Sequence, residues 1–224
     1  MLTAELWQPI RLTLELAGLT TILLLIVGTP IAWWLAHSRS RFKEVVATIV
    51  ALPLVLPPTV LGFYLLILFS PDNPVGGAWL SLTGDTLSFS FSGLVLASVL
   101  YSFPFVVQPL QASFAQVGRA PLEAAATLGA GPLDRFLSIA SPLARQGYLT
   151  ATVLGFAHTL GEFGVVLMVG GNIPDRTRVV SIAIYEHVEI LDYTQAHVLS
   201  AGLVIFSFLV LLPVYAFNRH ARLL

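Results

Sequence analysis

The sequence predicts an all-α integral membrane protein of about five transmembrane helices, with one compact helical segment on the cytoplasmic side. Three observations predict it. The 224 residues are 56% hydrophobic and 10% charged, whereas a soluble domain carries about 25% charge, and mean hydropathy is +0.85. Uncharged apolar runs of about 20 residues, enough to cross a bilayer as a helix, recur along the chain. The basic residues between those runs are unevenly distributed, which orients the chain in the membrane.

The runs fall at about 16–36, 45–69, 93–112, 148–169 and 196–217. In lipid every backbone polar group must be satisfied internally, so these are helices and not open sheets. The second run is broken by Pro53, Pro57 and Pro58, and the fourth contains Glu162. Met1 to Leu14 carries Glu5, Pro9 and Arg11. It lacks the basic n-region and small-residue cleavage site of a signal peptide, so the first run is expected to be retained. A tilted or re-entrant segment near 2–14 would change the span count. The outer stretch from Ser70 to Phe91 holds Pro71-Asp72-Asn73-Pro74 and Gly76-Gly77, which are turn signals. No strong repeat is visible, and residues 1–224 are expected to form one transmembrane domain.

Arg39, Arg41 and Lys43 lie between the first two runs, Arg119, Arg135 and Arg145 between the third and fourth, and Arg219 and Arg222 after the fifth. Only Arg11, Arg176 and Arg178 remain for the other side, together with Glu5, Asp72, Asp85, Asp175, Glu186, Glu189 and Asp192. The positive-inside rule then puts the segment 116–145 and the C-terminus in the cytoplasm and the N-terminus outside. Trp33 and Trp34 are expected in the inner aromatic belt, with Trp7 and Trp79 in the outer one.

Several function classes are excluded. With no cysteine, there are no disulfides, thiol chemistry or cysteine-ligated metals. A net charge of −1 gives no basic footprint for nucleic acid. The P-loop pattern of Gly, four residues, Gly-Lys-Ser/Thr is absent, so the chain does not hydrolyse ATP by that route. No cofactor or metal is expected.

The cytoplasmic segment 116–145 reads as two short helices about a hinge. Pro121 suits a first helical turn, where its missing N–H has no intrahelical partner. Leu122 to Leu128 is rich in helix formers, and Gly129 falls where a left-handed cap would end the helix. Pro132 restarts the chain, Leu133, Phe136 and Leu137 make an apolar face at helical spacing, and Pro142 opens the next helix. By amphipathicity alone this is either a loop packed on its own helix ends or a docking surface for a soluble protein.

Glu162 is the sharpest intramembrane residue, a functional candidate by default, flanked by Gly161 and Gly164, which permit close backbone approach. It either faces a subunit interface or a wet path, or it is a buried carboxyl that fixes helix packing. His158, four residues earlier, shares its helical face and reads as a packed polar partner or as half of a metal site. His37, His187, His197 and His220 lie near span ends and carry no ligand assignment. Pro57 and Pro58 remove backbone donors and Thr59 offers a hydroxyl. These three mark a structural kink or a pathway wall. Arg176 and Arg178 are either ordinary loop charge or a contact for an external protein or anion.

A longer pattern joins these pieces. Glu123-Ala124-Ala125, then Gly129, Ile139 and Pro142 resembles the cytoplasmic signature of permease subunits of ABC importers, with Ser141 where that pattern prefers leucine. Leu52-Pro53-Leu54-Val55-Leu56-Pro57-Pro58-Thr59-Val60-Leu61-Gly62 resembles the second-span motif of molybdate permease subunits. Thr127 to Gly131, Leu160-Gly161-Glu162-Phe163-Gly164, and Asn172-Ile173-Pro174 with Arg176-Thr177-Arg178 resemble further stretches of that family. The resemblance runs from about Arg11 to Phe217. Sulfate permease subunits share much of it, and the short chain favours molybdate.

The resemblance implies a type I importer permease fold in the cell inner membrane. It implies two copies of this chain, two ATPase subunits and an external molybdate-binding protein, with an oxyanion in transit among membrane lipid. Tungstate and sulfate or thiosulfate are the alternative cargoes. Glu123, Ala124, Ala125, Gly129, Ile139 and Pro142 are then expected to couple to the ATPase. A self-sufficient secondary transporter or channel is the reading from another class, but it usually shows repeats and coupling-ion residues. An intramembrane enzyme would need partners that Glu162 and His158 lack.

Overall fold

The computed structural model describes residues 4–221, with side chains for residues 6–212. Glu5, Arg219 and Arg222, on which part of the expected orientation rests, and His220 fall outside those described side chains. In chain order the helices are α1 (Ala4–His37), α2 (Lys43–Val55), α3 (Pro58–Phe69), α4 (Pro74–Thr83), α5 (Phe91–Val117), α6 (Ala120–Thr127) and α7 (Pro132–Arg135). After a wide π turn (Phe136–Ala140) come α8 (Ser141–Leu143), α9 (Arg145–Leu160), α10 (Gly164–Gly170), α11 (Val180–Glu189) and α12 (Tyr193–Ala221).

Among the described residues, three apolar stretches are long enough to cross a membrane unbroken: Leu6–His37, Phe91–Val117 and Tyr193–Leu212. Two more pairs qualify only as broken spans. Lys43–Val55 and Pro58–Phe69 are bent by 112°, and Arg145–Leu160 and Gly164–Gly170 by 60°. The fold is thus an all-α, multi-pass membrane fold, but the second and fourth expected crossings are not continuous helices. The first crossing begins well before residue 16. Residues near its start join α1 directly, with Pro9 inside the helix and Thr13 Oγ1 donating to the Pro9 carbonyl at 2.7 Å.

Between Ser70 and Phe91, where turn signals predict a loop, the chain forms α4. Asn73 caps it by accepting from the Val75 amide at 3.2 Å, Pro74 fills its first turn, and Gly84 ends it at φ +76°. The same Asn-Pro and Gly residues that mark turns also mark helix starts and stops, and here the second use prevails. Ser90 caps α5 in turn, accepting from the Gly93 amide at 3.1 Å.

The core is built around α1, α5 and α9. Leu24 and Leu35 of α1 meet Val106, Leu110 and Phe114 of α5 and Ala151 of α9, all fully buried. Trp33 packs against this core. Its ring lies edge-on to Phe114 at 5.2 Å and to Phe136 at 5.1 Å. Trp79 likewise packs inward, which leaves Trp7 and Trp34 exposed. A second cluster joins α3, α5 and α10 through Leu65, Phe69, Ala97, Val165 and Val169. Exposed Ile22 and Ile26 on α1 and Val204, Ile205, Phe208 and Leu209 on α12 present the apolar surface that lipid requires.

Candidate functional site

The two broken spans break against each other. Leu56 precedes Pro57, and Pro57 precedes Pro58. Each proline pushes the residue before it out of the helical region. Leu56 accordingly sits at φ −72°, ψ 133° and Pro57 at φ −53°, ψ 136°, and two successive extended residues turn the chain sharply. Pro58 then opens α3, its missing N–H harmless in a first turn. On the other side α9 stops at Leu160 and α10 restarts at Gly164.

Small residues let the two restarts touch. A Cβ on Gly164 would lie 2.7 Å from Pro58 Cβ, and one on Gly62 would lie 2.7 Å from Met168 Cβ. Only hydrogen fits in either gap, so α3 and α10 lie flush. Pro57, Pro58, Thr59, Gly161, Glu162 and Gly164 therefore do converge in space. Pro57, Thr59 and Gly161 are exposed on the single chain. Glu162 is not: it is 4% exposed. Within the single chain its carboxyl is therefore buried.

His158 and Glu162 do not pair. The Ser102 hydroxyl lies 2.8 Å from His158 Nδ1 and 3.1 Å from Thr159 Oγ1, and the imidazole stacks on Phe105 at 3.8 Å between ring centroids. Ser102 went unnoticed in the sequence, although Ser98 and Ser102 stand one turn apart on α5, a polar stripe in an apolar helix. Glu162 is instead held by its backbone. Its amide donates to the Thr159 carbonyl at 3.3 Å, and its carbonyl accepts from the Ser181 hydroxyl of α11 at 2.6 Å.

The segment 116–145 hangs between the ends of α5 and α9. Pro121 lies in the first turn of α6. Gly129 stands at φ +89°, so the Ala130 amide reaches back to the Ala125 carbonyl at 3.0 Å, as a left-handed cap does. Leu122 and Ala125 are buried, and Leu122 joins the core with Phe136 and Ile139 packed against it. Glu123, Ala124, Gly129 and Pro142 are exposed, as is Leu128 at 90%. Among the expected coupling residues, Ala125 and Ile139 thus anchor the segment from within. Pro142 stands in the first turn of the short α8, which follows the π turn without a break, the Ser141 amide being bonded to the Phe136 carbonyl.

On the opposite end, Arg176 grips Asp85 through two hydrogen bonds of 2.8 and 2.9 Å. Arg178 donates to Asn172 at 2.7 Å and pairs with Glu186 at 3.2 Å. Both guanidinium groups are engaged by the chain's own residues. The Thr86 amide, and then the Arg176 guanidinium, hold the Asp85 carboxyl below the usual carboxylate range. A polar cavity of about 710 Å³ opens beside Arg178, lined also by Gln8, Arg11, Glu15, Glu186 and His187.

Comparison with known proteins accounts for this arrangement. Residues 28–222 match the model of the family described as "Binding-protein-dependent transport system inner membrane component". The chain is 62% identical over 210 residues to the "Molybdenum transport system permease protein ModB" of Azotobacter vinelandii, covering 94% of this chain and 93% of that one. It is 33% identical over 202 residues to a "Probable sulfate transport system permease protein cysT" of Nephroselmis olivacea, covering 90% and 71%. Its fold superposes with TM-score 0.77 on a chain of a bacterial alginate ABC transporter crystallised with its alginate-bound periplasmic protein, at 17% identity, covering 98% of this chain and 80% of that one. The chain belongs to the binding-protein-dependent transport system inner membrane components, and is the membrane-spanning permease subunit of an ABC importer.

Proposed function

We propose that this subunit forms half of the membrane passage of a molybdate importer, coupled to a separate ATPase through α6 and supplied by an external molybdate-binding protein. The observation that carries the reading is one of continuity. The exposed, capped α6 lies in the connection between α5 and α9, α9 ends at Leu160, and α10 seats its first residue, Gly164, against Pro58 of α3. In this reading a push on the Glu123, Ala124 and Gly129 face passes through the turn at Phe136–Ala140 into α9 and on to the paired breaks. A two-position element of this kind can serve as a lever.

In this reading the cytoplasm holds α6 and the C-terminus, and the N-terminus lies outside. A second copy faces the exposed Pro57, Thr59 and Gly161 and completes the passage. A dianion is not stable in hydrocarbon, so the passage is wet or lined with dipoles. No Lys or Arg lies between Lys43 and Arg119 or between Arg145 and Arg176. The passage therefore offers no tight anion site, and selectivity rests with the binding protein. Arg176 and Arg178, on the outer face with their acidic partners, are placed to meet that protein. Molybdate is favoured by the likeness to the Azotobacter protein. Sulfate is the second cargo because of the likeness to the Nephroselmis one, and tungstate shares the chemistry of molybdate.

The test is reconstitution of this subunit with its ATPase and binding protein in liposomes. ATP turnover is measured with molybdate, tungstate and sulfate in turn. Molybdate-loaded binding protein is expected to stimulate turnover and uptake. Molybdate movement by this chain alone, or labelling of Leu128→Cys from the outer face, would overturn the reading. The chain has no native cysteine to confuse that labelling.

A further inference from the structure

Glu162 is buried without a use in the passage just described. It is 4% exposed, and neither carboxyl oxygen has a hydrogen-bond partner. Ser98 on α5 is fully buried, and its hydroxyl is also unpartnered. Ser102 Oγ lies 3.1 Å from Thr159 Oγ1, so one turn further along α5 Ser98 comes level with the break at Glu162; no hydrogen bond joins the two side chains in this arrangement. A carboxylate ion in that position would have no countercharge, which burial penalises heavily. The titratable groups nearby are Tyr101 on α5 and His158 on α9, whose Nδ1 is taken by Ser102. On α11, Ser181 is committed to the Glu162 carbonyl, and Tyr185, which packs on Phe163, donates to Glu189.

A protonated carboxyl resolves both vacancies. It carries one O–H donor, and a serine oxygen accepts. We propose that Glu162 is a positioning residue whose neutral carboxyl donates to Ser98 and latches the bend between α9 and α10 onto α5, holding the paired breaks in their resting contact. The latch lies two residues before Gly164, the residue that seats on Pro58. Releasing it frees α10 to swing relative to α9, and with it the wall formed by α3. The inference rests on the reading that these breaks wall the passage.

The experiment uses the reconstituted complex, with molybdate-loaded binding protein as the stimulus. Wild type must first show stimulated ATP turnover; failure there sinks the transport reading itself and is separate from the latch. Glu162→Gln keeps a neutral donor of nearly the same shape. It is expected to keep basal ATP turnover and uptake within about twofold of wild type. Ser98→Ala and Glu162→Ala each lose the contact. Both are expected to raise basal turnover several-fold while uptake per ATP falls several-fold. A residue that only supports folding would lower both together. The double variant Ser98→Ala, Glu162→Met removes both polar groups, a change that leaves stability nearly neutral. It is expected to assemble normally and yet be uncoupled. Loss of uptake by tenfold or more in Glu162→Gln would show that the charged form is required. Coupling unchanged in Ser98→Ala or in the double variant would show that no latch exists. Either result overturns the proposal.

Discussion

The contact between α3 and α10 gives the sharpest quantitative prediction. Gly164→Ala would place a methyl carbon 2.7 Å from Pro58 Cβ, and Gly62→Ala one 2.7 Å from Met168 Cβ. Carbon atoms prefer about 3.5–4.0 Å, so each substitution must drive the helices apart by about an ångström. Neither obstacle is the free end of a flexible side chain. Pro58 Cβ is in a ring and Met168 Cβ is fixed to its helix. Overpacking of this kind costs about 1–3 kcal/mol. The two sites strain the same interface, so a displacement forced by one makes room for the other. The double variant should then cost less than the sum, by about 0.5–3 kcal/mol of coupling. Gly202→Ala on α12 is the control, because a Cβ there meets nothing within 4 Å. It should be neutral or stabilising by up to about 1 kcal/mol. The assay is thermal unfolding of the purified complex, at about 2–4 °C per kcal/mol for a chain of this size, read beside uptake in liposomes. If Gly164→Ala and Gly62→Ala unfold with the control, or if their effects add fully, the flush contact of the two breaks is wrong.

Other outcomes follow from single residues. Gly129→Asp puts a side chain at φ +89°, where L-residues are strained by about 1–2 kcal/mol. It should abolish uptake while the subunit still reaches the membrane, as membrane fractionation with transport assays would show. Leu128→Glu places a charge on the most exposed apolar side chain of the segment 116–145. It should reduce co-purification of the ATPase at least tenfold without changing the unfolding temperature. Ser102→Ala removes the partner of His158 and should cost about 0.6–1.7 kcal/mol, the range for such bonds in membrane helices, measured by thermal unfolding. Asp85 titrates below the ordinary carboxylate range in the folded chain, so its tie to Arg176 is present above the ordinary value and is lost as pH falls through the lowered one. Hydrogen-exchange protection at residues 84–90, taken relative to the intrinsic exchange rate at each pH, should therefore fall on acidification, and Asp85→Asn should produce the same loss of protection at neutral pH.

Much of the candidate site was legible because it depends on local chemistry. A proline lacks its N–H wherever it stands, and the pair at 57–58 had to interrupt the second crossing. A glycine between a helix and a proline-led restart is where a left-handed cap fits, and Gly129 takes that conformation. What was misread came from rules that assume regular continuation. The pairing of His158 with Glu162 presumed an unbroken helix, but α9 ends at Leu160, so Glu162 leaves the face that His158 occupies. Asn73-Pro74 reads equally as a turn or a helix cap, because both use the same residues, and only the packing of α4 distinguishes them.

The amino-acid order by itself determined the long apolar helices, the sharp interruptions and the capped helix α6, since hydropathy, missing donors and backbone sterics act over a few residues. Only the tertiary structure decided that Pro58 meets Gly164, that Ser102 claims His158, that Ser98 and Glu162 are both buried without a partner and that Arg176 is taken by Asp85. Each joins residues far apart in the chain, and which small or polar groups meet depends on how whole helices tilt and pack. No local preference encodes that.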